Sequence, residues 1–209
     1  MLKNIVTYLI IVFLTTGYAY GHPHVFIEGA ITAQFNAQGL EGFYINWLFD
    51  EMFSSSIYMD YDKNKDKKFN EEEMNLIKEE AFSNLENYNY FTHISTSNEI
   101  IKLNKVEQFK VTSKGTKVEY SFFIPCLIQA GDVSKKLSIG MYDESYFVDI
   151  AYKEKSPFTC SQADLFKCTF TLKENPNHSF YLGQFNPLEY FLSFKRVPDG
   201  ERKQGKQEK

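Results

Sequence analysis

The chain has 209 residues and carries 27 Asp and Glu against 23 Lys and Arg, a formal net charge of −4. This mild acidity argues against nucleic acid as a partner, because binding phosphates calls for a basic surface. Twenty Phe and 14 Tyr provide apolar area for one sizeable core, with length left for a small insert.

Residues 1–21 read as a cleavable secretory signal. Lys3 supplies the positive charge, Ile5 to Leu14 form an uncharged apolar stretch, and Ala19-Tyr20-Gly21 places small residues ahead of a cut before His22. That stretch falls short of the ~20 apolar residues of a membrane span. The expectation is an exported, periplasmic protein whose mature chain has no membrane span.

From Val25, apolar residues alternate through Ile27, Ile31, Ala33 and Phe35, and again from Leu40 to Phe49 through Phe43, Ile45 and Trp47. The turn Asn36-Ala37-Gln38-Gly39 lies between them, so a β-hairpin is predicted. The period then changes to four at Phe49, Phe53 and Ile57 and at Ile77, Ala81 and Leu85, predicting two helices around the polar stretch Asp60 to Asn70. Strand signals return at Phe91 and recur at Ile100–Leu103, Glu107–Thr112 and Lys117–Ile124. Lys136–Tyr142 and Tyr146–Tyr152 read as another hairpin around Asp143-Glu144-Ser145, and Lys167–Leu172 as one more strand. The fold class expected is α+β: mainly antiparallel, sandwich-like β structure spanning residues 22–194, with an EF-hand helix-loop-helix inserted at about 49–86. Residues 195–209 are charged and nearly free of apolar side chains, as in a disordered tail.

The polar stretch matches a calcium loop of twelve positions. Side-chain oxygens fall at positions 1 (Asp62), 3 (Asn64), 5 (Asp66) and 9 (Asn70); Lys68 would offer its carbonyl at position 7, and Glu73 closes the loop at position 12. Calcium is a hard cation that takes six to eight oxygens, which this donor set suits. Phe69 is placed to pin the loop between the helices. Position 6, where glycine gives the sharp turn, is Lys67, so strain is expected there. Lys63, Lys65, Lys67 and Lys68 would also weaken cation affinity, leaving the calcium a structural role.

Cleavage before His22 would expose an α-amino group beside the His22 and His24 imidazoles, a donor set for copper, nickel or zinc. Pro23 has no amide proton, which blocks square-planar chelation through two backbone amides. Bidentate chelation by the His22 amine and ring remains, with His24 as a further ligand, an arrangement resembling the histidine brace of copper proteins. His93 and Asp143 are candidates to complete a shell, and His178 reads as a loop residue. Of the three cysteines, Cys160 and Cys168 could close a small loop and leave Cys126 unpaired, although spacing alone does not determine connectivity.

The signal, HPHVFIE, INWLFDEMFS, DKNKDKKFNEEE, YNYFTHI and SIGMYDESYFVDI, in that order, resemble the domain of unknown function 1007 family. That family is also labelled a periplasmic component of an uncharacterised ABC-type transport system. The resemblance runs from His22 to about Leu172. It implies a role in metal handling, with an inner-membrane metal transporter as partner, and it carries over His22, His24, Asp62, Asn64, Asp66, Glu73 and Asp143. The function expected is a periplasmic metal-binding accessory protein for nickel, cobalt, copper or zinc, not an enzyme. The alternatives are a copper-dependent oxidase using the N-terminal histidines and a calcium-stabilised binding module. No Ser/His/Asp or Cys/His constellation stands out, which weighs against hydrolytic catalysis.

Overall fold

A computed structural model describes residues 23–96, 99–103 and 105–198. The signal segment, His22 and residues 199–209 lie outside these described residues.

The first hairpin forms as its alternation predicts. β1 (Val25–Asn36) pairs antiparallel with β2 (Gly39–Phe49). Asn36 Oδ1 accepts the amides of Gln38 at 2.8 Å and Gly39 at 3.2 Å, which closes the turn. Next along the chain come helices α1 (Glu51–Tyr61) and α2 (Glu71–Glu80), then 3₁₀ turns over Phe82–Phe91, five residues past the expected end of the insert. The strands that follow are β3 (Thr92–Thr96), β4 (Glu99–Ile101), β5 (Glu107–Lys114), β6 (Lys117–Gln129), β7 (Lys135–Met141), β8 (Val148–Tyr152), β9 (Phe158–Ser161), β10 (Phe166–Glu174) and β11 (Leu188–Arg196).

They form two sheets. The first has the order β5-β6-β2-β1-β8, with β9 also on β1; the second has the order β10-β11-β7-β3-β4. The inner faces share one hydrophobic core. Phe35 of β1 meets Phe194 of β11 edge-on at 5.2 Å, and Phe158 of β9 lies 4.6 Å from Tyr190 of β11. Gly42 allows β6 to approach: a side chain there would strike the Ile124 carbonyl oxygen, where the β2–β6 register also shifts.

The mainly antiparallel two-sheet architecture holds at that level, with one correction. Lys136–Tyr142 and Tyr146–Tyr152 do not make a hairpin. β7 pairs antiparallel with β3 and β11, whereas β8 crosses to the other sheet and runs parallel to β1. The cause lies in the connecting loop, where the buried Asp143 carboxylate accepts the amides of Ser145, Phe147 and Val148 at 2.9–3.0 Å. Those amides therefore cannot continue a ladder, and the chain turns onto the free edge of β1. β11 carries no expectation from sequence and extends through Arg196, two residues into the segment read as tail. No helix among the described residues is long and apolar enough to cross a membrane.

Candidate cation loop and apolar cavity

Asp50 ends β2 and starts the insert. Its Oδ2 accepts the Phe26 amide and its Oδ1 the Phe53 amide, both at 2.9 Å, so one carboxylate ties β1 to the first turn of α1. Ser54 and Ile57 are the buried residues of α1, and Ser54 Oγ accepts the Val118 amide at 2.9 Å, docking the helix on β6. At the far side of the loop, Asn70 caps α2 in a reciprocal box: Asn70 Oδ1 accepts the Glu73 amide and Glu73 Oε2 the Asn70 amide, each at 3.0 Å.

The loop between the helices is closed by the two carboxylates at its ends. Asp62 and Glu73 are 7% and 3% exposed. Asp62 accepts from the amides of Asp66 (3.2 Å) and Lys67 (3.0 Å), while Glu73 Oε1 reaches back to the Lys63 amide at 2.9 Å. Asn64 Oδ1 takes the Asp66 amide at 2.9 Å, and Asp66 Oδ1 takes the Lys68 amide at 2.8 Å. Lys67 adopts the sharp turn with φ +59°, as does Lys65 with φ +60°, so the backbone makes the bend although position 6 is not glycine. Phe69 stacks on Tyr58 of α1 at 5.3 Å and fastens the loop to the helix.

This donor set fits a hard cation in kind. Asp62, Asn64, Asp66, Glu73 and the Lys68 carbonyl supply oxygen, and each carboxylate oxygen that accepts one loop amide keeps a second lone pair. Among the described residues, however, no three His, Cys, Asp or Glu side chains stand grouped around one ion position. Their oxygens are turned to the loop's own amides, and Asn70 is committed to capping α2.

The other expected ligands lie elsewhere. His24 is exposed; its amide donates to the Phe147 carbonyl at 2.9 Å and its ring lies 5.0 Å from that of Phe147. The loop Asp143–Val148 is therefore beside the start of β1, but Asp143 points its carboxylate into its own loop. His93 is buried and stacks on Tyr142 at 3.8 Å, with Nε2 at 3.1 Å from the Tyr142 carbonyl. A carbonyl only accepts, so Nε2 carries the proton. Burial pushes this imidazole below its ordinary value of 6.5, against the pull of the Tyr142 carbonyl and Glu144.

His178 is more than a loop residue. Its Nδ1 lies 2.6 Å from Glu189 Oε1, and Asn175 Nδ2 donates to Glu189 Oε2 at 2.9 Å, forming a buried cluster on β11. Cys160 and Cys168 bring their sulfurs to 2.8 Å as free thiols, whereas Cys126 is apart on β6. The neighbouring Cys168 thiol lowers the Cys160 pKa and Cys160 raises that of Cys168, making Cys160 the readier thiolate.

A cavity of about 480 Å3 opens between the helical insert and the inner face of the first sheet. Val25, Ile27, Trp47, Phe49, Phe53 and Phe82 are among its walls, and Asp143, Ser145 and the hydroxyl-bearing Tyr88 and Tyr120 line it as well. Sequence reading assigned Trp47 only to the strand. The signal available was the aromatic-rich stretch from Phe82 to Phe91 after the second helix, which supplies one wall.

Two uncharacterised proteins are similar to this chain. An uncharacterised 15.5 kDa protein in the trpE 3′ region of Spirochaeta aurantia is 28% identical over 136 residues, covering 65% of this chain and 96% of that protein. An uncharacterised protein of Haemophilus influenzae is 25% identical over 137 residues, covering 65% of each. The model of the family described as protein of unknown function DUF1007 matches residues 7–199, and the chain belongs to that family.

Proposed function

We propose that this is a periplasmic metal-binding accessory protein in which the Asp62–Glu73 loop is an EF-hand that takes Ca2+ as a structural ion. One observation carries the calcium reading: the end carboxylates Asp62 and Glu73 are buried and both accept loop amides, Asp62 from Asp66 and Lys67 and Glu73 from Lys63, with the backbone already bent at Lys67. Calcium would draw Asn64, Asp66 and the Lys68 carbonyl inward and exchange part of the Glu73 cap for coordination. The link to nickel, cobalt, copper or zinc transport, and to an inner-membrane transporter, rests on the family resemblance. Within it, His22 and His24 are the proposed transition-metal ligands.

Calorimetric titration tests the loop. Calcium binding by the native protein that disappears in Asp62→Ala plus Glu73→Ala is the expected result, and calcium retained by that double variant refutes it. Metal analysis of protein with its naturally processed N-terminus tests the second site: copper, nickel or zinc that remains bound after His22→Ala and His24→Ala rejects it. A calcium-stabilised binding module without a transition-metal role is the second reading, favoured by the apolar cavity beside the insert.

A further inference from the structure

Cys160 and Cys168 stand on opposite sheets. Cys160 lies on β9 and pairs with Ala33 of β1, whereas Cys168 lies on β10 and pairs with Phe194 of β11. Their sulfurs meet at 2.8 Å across the seam between the layers, and both residues are half-buried, so a small reagent can reach them. Contacts that do not involve sulfur fasten the same seam. Phe158 of β9 lies 4.7 Å from Phe170 and 4.6 Å from Tyr190, and Phe35 of β1 lies 5.2 Å from Phe166. The connection between the cysteines is tied as well: the Phe166 amide donates to the Ala163 carbonyl at 2.8 Å and the Val197 amide to that of Leu165 at 2.9 Å. The dithiol form is therefore a folded state, and a bond between these sulfurs can open and close without unfolding the layers.

The two sulfurs are not equivalent. Cys168 stabilises the Cys160 thiolate and keeps its own proton, so one thiol is ready to attack and the other waits. The third thiol stays out of the exchange: Cys126 sits on β6, beyond β2 from β1, and burial pushes it up to about 11. We infer that Cys160 and Cys168 form a reversible thiol–disulfide exchange site for small disulfides of the glutathione type, with Cys160 attacking and Cys168 resolving. In the first step Cys160 Sγ bonds to one sulfur of the small disulfide, whose S–S bond breaks and releases one thiolate. Cys168 then gives its proton to solvent, and its sulfur attacks Cys160 Sγ and expels the second thiolate. Two protein thiols lose two electrons in total, and one small disulfide gains them to become two thiols. Run backwards, the same steps reopen the bond. The oxidised form clasps β9 to β10 and so locks one layer to the other.

The test exposes the fully reduced native protein to oxidised glutathione. The expected result is release of two glutathione thiols per protein, with peptide mapping showing Cys160 joined to Cys168 and Cys126 free. Cys168→Ser should stop at a mixed disulfide between Cys160 and glutathione. Cys160→Ser should acquire an adduct at Cys168 about 10-fold more slowly than that. Excess reduced glutathione should then reopen the native bond while circular dichroism remains that of the folded protein. A bond that closes but resists reduced glutathione until urea is added is a structural staple, and that result would overturn the inference. Equal adduct rates in the two serine variants, or no glutathione released by the native protein, would overturn it as well. The readouts on native protein stand if either serine variant does not fold.

Discussion

Glu73 ties the start of the loop to the cap of its second helix in the absence of metal. Replacing it with alanine removes two charge-assisted hydrogen bonds, from Oε1 to the Lys63 amide at 2.9 Å and from Oε2 to the Asn70 amide at 3.0 Å. Bonds to a charged group contribute roughly 1.5–3 kcal/mol each, and the low end applies because the freed amides sit at a loop that water can reach. The expected loss is about 2–3 kcal/mol, or about 4–10 °C in Tm for a domain of this size. Glu73→Gln keeps one acceptor oxygen and should lose about half as much. Thermal unfolding followed by circular dichroism in excess EGTA isolates this capping role from calcium. With calcium at about 100 times its Kd, native protein should gain about 2.7 kcal/mol more, and the alanine variant none of it. A Tm shift below ~1 °C for Glu73→Ala in EGTA would refute the assignment of both bonds.

Asp143→Ala should cost about 3 kcal/mol in urea unfolding by stranding the amides of Ser145, Phe147 and Val148, and Asp143→Asn clearly less; equal, small losses would contradict the loop's role in sending β8 to the other sheet. Mild oxidation should join Cys160 to Cys168, linking β9 to β10 and adding about 2–3 kcal/mol that Cys160→Ser lacks, with peptide mapping showing Cys126 still free. Burial holds His93 below its ordinary pKa of 6.5, so below that pH the unfolded chain takes up a proton the folded chain does not. Stability should therefore fall as pH drops through about 6.5 and level off beneath the folded value, and His93→Phe should flatten that part of the urea-midpoint profile.

Local patterns carried much of this molecule. The alternation from Val25 to Phe49 with Asn36 and Gly39 between determined a hairpin, because side-chain period and turn chemistry act over neighbouring residues. The oxygen spacing from Asp62 to Glu73 likewise determined a helix–loop–helix whose end carboxylates both turn onto loop amides, since the caps and turns bond only within the loop. Other features were decided at long range. Whether β8 zipped onto β7 or crossed to β1 depended on a buried carboxylate consuming three amides, and the alternating pattern of β8 is the same in either position. His178 became part of a buried cluster only when β11 brought Glu189 beneath it. The cavity belongs to no segment: Trp47, Phe82 and Phe147 are far apart in the chain, and only packing the insert on the sheet leaves space among them. Periodicity shows which face a side chain takes, but the fit of that face against its neighbour is a property of the assembled tertiary structure.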